Sequence, residues 1–288
     1  MNSEAECVWP VGAQLGEGPM WSAREQALWF VDIKGRRIHR LDEASGEQHT
    51  WQAPEDVGFI VPSADGAFVC GLKSGLHRFD PGAPSFTLIE RVEAERPHNR
   101  SNDACVDRAG RLWFGTMDNR EAQATGALYR YDAQGLRCVD DGYIITNGPA
   151  VSPDGRTLYP VDTTQRVICA ADLNDDGSLS NGRVFARIDI PGAYPDGPTV
   201  DAEGCLWVAL FGGWGVQRYS PQGALLETLQ LPVANCTKAA FGGAELRDLY
   251  VTTAWNGLAP AQRAQQPLAG GLFRIRTDVT GLASPEMH

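Results

Sequence analysis

Along this chain, short apolar runs alternate with turns rich in Gly, Pro, Asp and Asn, and no long helical period is evident. The stretch Tyr194-Pro195-Asp196-Gly197-Pro198-Thr199-Val200-Asp201-Ala202-Glu203-Gly204-Cys205-Leu206-Trp207-Val208 shows the unit: a polar residue at a strand mouth, a short strand, an acidic turn ending in Gly, and a second strand carrying an aromatic. Ser101 to Phe114 and Thr146 to Tyr159 are further copies. Leu15 to Val31 is a variant, and weaker copies begin at Ile60 and Lys238. The second-strand landmarks Trp29, Phe68, Trp113, Tyr159, Trp207 and Tyr250 recur at roughly 40 to 50 residues, the period of propeller folds. A third strand closes each unit, as in Arg37-Ile38-His39-Arg40-Leu41 and Gly126-Ala127-Leu128-Tyr129-Arg130-Tyr131.

The pattern predicts an all-β fold: a six-bladed propeller of four-stranded antiparallel blades, forming one domain over residues 1–288. The last unit runs out of sequence after its third strand, so the N-terminal strand Cys7-Val8-Trp9 is expected to pair near Leu272 to Ile275 and close the ring. Leu258 to Ala269, rich in Ala, Gln and Pro, reads as a loop or a short helical excursion.

A formal net charge of −11 without a Lys/Arg cluster argues against a nucleic-acid partner. The first residues are acidic and lack an apolar signal core, and no apolar run approaches the ~20 residues needed to span a bilayer. The expectation is therefore a cytoplasmic protein with no membrane partner. Seven dispersed cysteines with no C-x-x-C pair fit reduced thiols rather than a disulfide framework. Asp172-Leu173-Asn174-Asp175-Asp176-Gly177 imitates the start of an EF-hand loop, but Arg183 stands where the bidentate Glu belongs, so it reads as a hairpin turn.

In a propeller the first strand of each unit lines a central channel, and the residues just before it converge at one mouth. These stations hold Glu17, the apolar Phe59 and Ile60, Asn102 with Asp103, Asn147, Asp196, and Thr237 with Lys238. Carboxylate and amide oxygens aimed at one cavity form a hard-donor set suited to a divalent cation. Singly, each of these residues is an ordinary turn former beside Gly or Pro; their registration across the repeat sets them apart.

Gly16-Glu17-Gly18-Pro19-Met20-Trp21, Arg100-Ser101-Asn102-Asp103, Thr146-Asn147-Gly148-Pro149 and Pro195-Asp196-Gly197, in this order, resemble the gluconolactonase, regucalcin and senescence-marker-protein family of sugar lactonases. The resemblance covers nearly the whole chain. It implies one divalent metal cation (Ca, Mg, Mn, Zn or Fe(II)) held by Glu17, Asn147 and Asp196, with Asp196 doubling as the catalytic base. It also implies that Arg100 and Asn102, with Glu121 from a loop of variable length, bind the substrate, a small-molecule sugar lactone of the 1,4 or 1,5 type. Ser101 departs from the family, which commonly has Pro there, and Pro149 and Pro198 depart from the animal relatives.

Metal-assisted ester hydrolysis needs no separate nucleophile, consistent with a chain that has no G-x-S-x-G elbow and no catalytic spacing among its five histidines. His98 is the histidine closest in sequence to Arg100, and Trp214 either stacks on a sugar face or packs between strands. Two other readings stand: a calcium-dependent phosphotriester hydrolase, and a non-enzymatic calcium-binding propeller.

Overall fold

The structure is a computed structural model describing residues 4–288. Residues 1–3, the front of the acidic N-terminal stretch, lie outside the described residues. After β1 (Glu6–Trp9) comes a four-stranded sheet of β2 (Gly16–Ser22), β3 (Ala27–Asp32), β4 (Arg37–Asp42) and β5 (Gln48–Gln52). A second contains β6 (Val57–Pro62), β7 (Phe68–Leu72), β8 (Gly75–Asp80) and β9 (Ser85–Arg91). The third is built of β10 (Asn99–Val106), β11 (Leu112–Asp118), β12 (Gly126–Asp132) and β13 (Gly135–Tyr143). The fourth is built of β14 (Thr146–Val151), β15 (Thr157–Asp162), β16 (Val167–Leu173) and β17 (Leu179–Arg187). There follow β18 (Tyr194–Val200), β19 (Leu206–Phe211), β20 (Gly215–Tyr219), β21 (Leu225–Gln230), β22 (Cys236–Gly242), β23 (Asp248–Thr253), the helix α1 (Pro260–Gln265) and β24 (Leu272–Arg276).

The all-β propeller class holds, but the expectation of six separate four-stranded blades is corrected by the sheet order. Four sheets are four-stranded, and the remaining strands form one eight-stranded sheet, β1-β24-β23-β22-β18-β19-β20-β21. The cause is a single parallel pairing, Gly197 with Lys238: glycine lets β18 and β22 approach, since a Cβ at position 197 would lie 2.5 Å from Lys238 Cγ. The pairing expected of the N-terminal strand near Leu272 to Ile275 is present, but the ring closure expected from it is corrected. β1 is the outer edge of the eight-stranded sheet, where Cys7 pairs with Phe273, and it has no ladder to β2–β5. The first and last sheets meet instead where β2 packs on β22 and the Thr237 hydroxyl donates to Gly16 O at 2.5 Å.

The repeated Asp-x-x-Gly-x-x-Trp turns have a common physical cause. Asp107 accepts from the backbone of Ala109 and Arg111 and from the Trp113 indole, 2.8 Å away. Asp201 does the same for Glu203, Cys205 and the Trp207 indole. One buried carboxylate thus folds the turn and anchors the aromatic of the following strand, satisfying donors that would otherwise be lost in the core. Aromatics then join neighbouring sheets, as where Trp29 meets Phe68 at 4.4 Å between centroids and Phe59 meets Phe114 at 5.7 Å. Each such side chain withdraws apolar surface worth about 2 to 3 kcal/mol.

The six innermost strands β2, β6, β10, β14, β18 and β22 each touch the next, and β22 touches β2, so they enclose a channel. Residues after β24 cross one end of it: Thr280 O accepts from Ala202 N, and Met287 N donates to Pro62 O at 2.9 Å. Asp172 to Gly177 runs from the end of β16 into the hairpin turn before β17, where Asn174 N donates to Ser178 O. All seven cysteines are free, and no described helix is long and apolar enough to cross a membrane.

Candidate metal and substrate site

Each innermost strand breaks register with its partner near its start: between Glu17 and Met20, Val57 and Phe59, Ser101 and Ala104, Asn147 and Ala150, Pro195 and Pro198, and Cys236 and Lys238. These breaks coincide with the stations read from the repeat. A bulge departs from the strict in-out alternation of a strand and re-aims side chains, which is how polar residues enter a channel otherwise lined by apolar ones. Left-handed Gly18 (φ 54°) and Gly148 (φ 70°) form the turn directly after Glu17 and Asn147, a conformation costly for residues with a Cβ.

Glu17, Asn147 and Asp196 are 3%, 4% and 6% exposed. The buried Glu17 and Asp196 carboxyl groups act on each other's ionisation, and Gly18 N donates to Glu17 Oε2 at 2.8 Å. Burial pushes Glu17 up to about 8, with Asp103 adding to the rise and Lys238 opposing it. Burial and the Glu17 charge likewise hold Asp196 well above the usual carboxylate range. Asp196 Oδ1 is buried without any hydrogen-bond partner. An orphaned carboxylate oxygen beside a second carboxylate is costly unless a cation or proton joins them.

Asn147 is held by its neighbours. Its Nδ2 donates to Thr163 Oγ1 at 2.9 Å, and the Thr163 hydroxyl in turn donates to Pro195 O, tying the Asn147 station to the strand carrying Asp196. Asn147 Oδ1 accepts from Asn102 Nδ2 at 2.9 Å. The donor chemistry, two carboxylates and an amide oxygen without Cys or His, fits a hard divalent cation.

Arg100 is 3% exposed, yet among the described residues it forms no ion pair. Its Nη1 donates to Asn102 Oδ1 at 2.6 Å and to Ser101 O, and its Nε donates to Asn119 Oδ1. Burial lowers its pKa against the opposing charges of Asp56 and Glu121. A buried guanidinium held by neutral acceptors keeps its charge available for an oxygen-rich ligand. Glu121 is exposed, with left-handed backbone (φ 56°), and its charge acts on both Arg100 and Lys34. His98 is exposed and enters only through its carbonyl, which accepts from Asn119 N. Trp214 is 43% exposed in the turn before β20, so it is not a packing residue between strands.

Two supporting side chains escaped the sequence reading. Asn119 receives both Arg100 Nε and the Lys34 ammonium, and Thr163 fixes Asn147. Each sits just past the second strand of its unit, a position the repeat marks only as loop. A separate cluster, Asp201, Glu203 and Cys205, has metal-like spacing. There the Asp201 oxygens are already taken by Trp207, Arg218 and two backbone amides, so it is a structural turn.

The family described as SMP-30/Gluconolactonase/LRE-like region matches residues 15–255, which include the whole channel apart from the residues that cross its far end. The chain belongs to that family. Among curated members, the 6-deoxy-6-sulfogluconolactonase of Pseudomonas putida is 39% identical over 99% of both chains. The L-arabinolactonase of Azospirillum brasilense is 36% identical over 94% of this chain and 91% of its own. Among solved structures, the calcium-binding protein regucalcin from Agrobacterium tumefaciens superposes with a TM-score of 0.95 at 28% identity, covering 99% of this chain and 98% of that one.

Proposed function

We propose that this protein hydrolyses a sugar lactone to the open aldonic acid, using one divalent cation held by Glu17, Asn147 and Asp196. The observation that carries the reading is the unpartnered Asp196 Oδ1, buried beside the Glu17 carboxyl group at the mouth of a channel. Family membership and the lactonases among the relatives support it. The calcium-binding regucalcin supports a divalent cation without choosing which.

When bound, such a cation supplies Lewis-acid polarisation of the lactone carbonyl. Asp196 is the general base: it takes a proton from the water whose oxygen bonds to the carbonyl carbon. Breaking the ring C–O bond then returns that proton to the departing ring oxygen, which becomes a hydroxyl group. Arg100 and Asn102, already bonded to each other, orient the lactone oxygens, and a pre-formed pair loses little entropy on binding. Glu121, exposed beside them, accepts from sugar hydroxyls.

The test is elemental analysis of freshly purified protein, followed by assays of the chelated enzyme with each metal restored. Pentono- and hexonolactones are compared with a phosphotriester at equal metal loading. Metal-dependent turnover of an aldonolactone with none of the phosphotriester is expected. Lactone turnover that survives chelation, or phosphotriester turnover alone, overturns the reading.

A further inference from the structure

The Asp103–Lys238 pair lies within the channel and is used neither as a ligand nor for substrate in the function above. Asp103 is fully buried and Lys238 is 7% exposed. In the cycle of innermost strands, β10 and β22 stand opposite one another, so Lys238 reaches across the channel to Asp103. Its ammonium bonds Asp103 Oδ1 and donates to Ala104 O at 3.0 Å. The stem lies on Gly197, where any Cβ would collide with it.

Every Asp103 oxygen is occupied. Oδ1 also accepts from Ala104 N at 2.7 Å, and Oδ2 accepts from Gly148 N, the residue after Asn147, at 2.8 Å. Beyond this bar the channel opens into a cavity of about 360 Å³, whose lining includes Gly18, Pro149, Pro198 and Lys238, with Leu282 from the chain's last residues. The bar thus stands between the carboxylates of the mouth and a partly open cavity whose lining is more apolar than polar.

We propose that Lys238 is a positioning residue for the cation: by crossing the channel to Asp103 it cancels that carboxylate's charge and keeps it out of the ligand set. This rests on the metal reading above. Without Lys238 the channel would present three buried carboxylates, Glu17, Asp103 and Asp196; with it, the field at the site is that of two. The Lys238 charge also acts directly on Glu17. In a buried site such a unit charge changes divalent affinity on the order of tenfold or more.

Ca2+ and Mn2+ dissociation constants would be measured by calorimetry at pH 9 for the wild type, Asp103→Asn, Lys238→Met and the double variant. Asp103→Asn, which leaves an ammonium unopposed, is expected to weaken binding at least tenfold, and Lys238→Met to tighten it at least tenfold. The double variant, neutral like the original pair, is expected to return to within about threefold. Single variants that shift affinity in the same direction, or by less than threefold, would overturn the proposal, because a purely structural pair gives no opposite signs. Should Lys238→Met lose its cooperative melt, the near-isosteric Asp103→Asn decides alone: unchanged affinity sinks the proposal. A wild type that binds neither of these ions nor any of the other metals restored in the assays above defeats the metal reading itself, an outcome distinct from all of these.

Discussion

The carboxyl groups of Glu17 and Asp196, nearly two hundred residues apart in the chain, are both buried and act on each other's ionisation. Two carboxylates this close cannot both ionise cheaply in a buried site, so without a cation they hold a proton between them. Folding raises Glu17 from 4.5 to about 8. A group raised on folding contributes stability that is complete below its unfolded value and disappears as pH climbs through its folded value. The metal-free protein is therefore expected to melt progressively lower between about pH 5 and pH 9, by on the order of 5 °C, and saturating divalent metal should remove most of that slope. Calorimetric scans with and without chelator check this; a metal-free melting temperature that rises over the same range would contradict the shared proton.

Asp196→Asn is expected to abolish metal retention and to lower turnover by at least about a hundredfold while the melt stays cooperative. The amide removes the negative charge from the orphaned oxygen and relieves the repulsion with Glu17, so metal-free stability should hold or rise. Elemental analysis, a lactone assay and a thermal melt on one preparation separate these effects. An Asp196→Asn protein that keeps both its metal and its turnover would remove Asp196 from the mechanism.

Much of this site was legible in the sequence because a repeat converts distance along the chain into proximity. Glu17, Asn102, Asn147, Asp196 and Lys238 could be aligned by their place before or at the first strand of each unit. What could not be read is how they are aimed, because the register breaks at Glu17, Ser101, Asn147 and Pro195 depend on pairing with the next strand. The single Gly197–Lys238 pairing, which fuses eight strands into one sheet, leaves no periodic trace either. The roles of Asn119 and Thr163 were hidden because a loop Asn or Thr looks the same whether or not a functional side chain leans on it.

Asn102 stands between two parts of the site. Its Oδ1 accepts from Arg100 and its Nδ2 donates to Asn147 Oδ1 and to Thr146 O. Asn102→Ala is expected to lower kcat/KM by roughly ten- to a hundredfold through the freed Arg100 fork, while the metal dissociation constant moves by less than about tenfold. Steady-state kinetics and metal titration on the same variant give the two readouts. A collapse of metal affinity would instead make Asn102 a ligand.

The cluster of Asp201, Glu203 and Cys205 offers a contrast with the channel, because two acidic side chains and a thiol come together there for a structural reason. Asp201 is fully buried and accepts from the Trp207 indole at 2.9 Å, from Arg218 Nε at 2.9 Å and from the backbone of Glu203 and Cys205. Removing that acceptor leaves a buried indole, two amides and a guanidinium short of a partner, a loss of roughly 3 kcal/mol. Asp201→Ala is therefore expected to lower the melting temperature by on the order of 5 to 10 °C. Its metal content and its kcat per folded molecule should match the wild type, since every donor of the proposed metal site is untouched. Elemental analysis beside the melt decides the matter: an Asp201→Ala protein that melts normally but loses bound metal would move the cation out of the channel and into this turn.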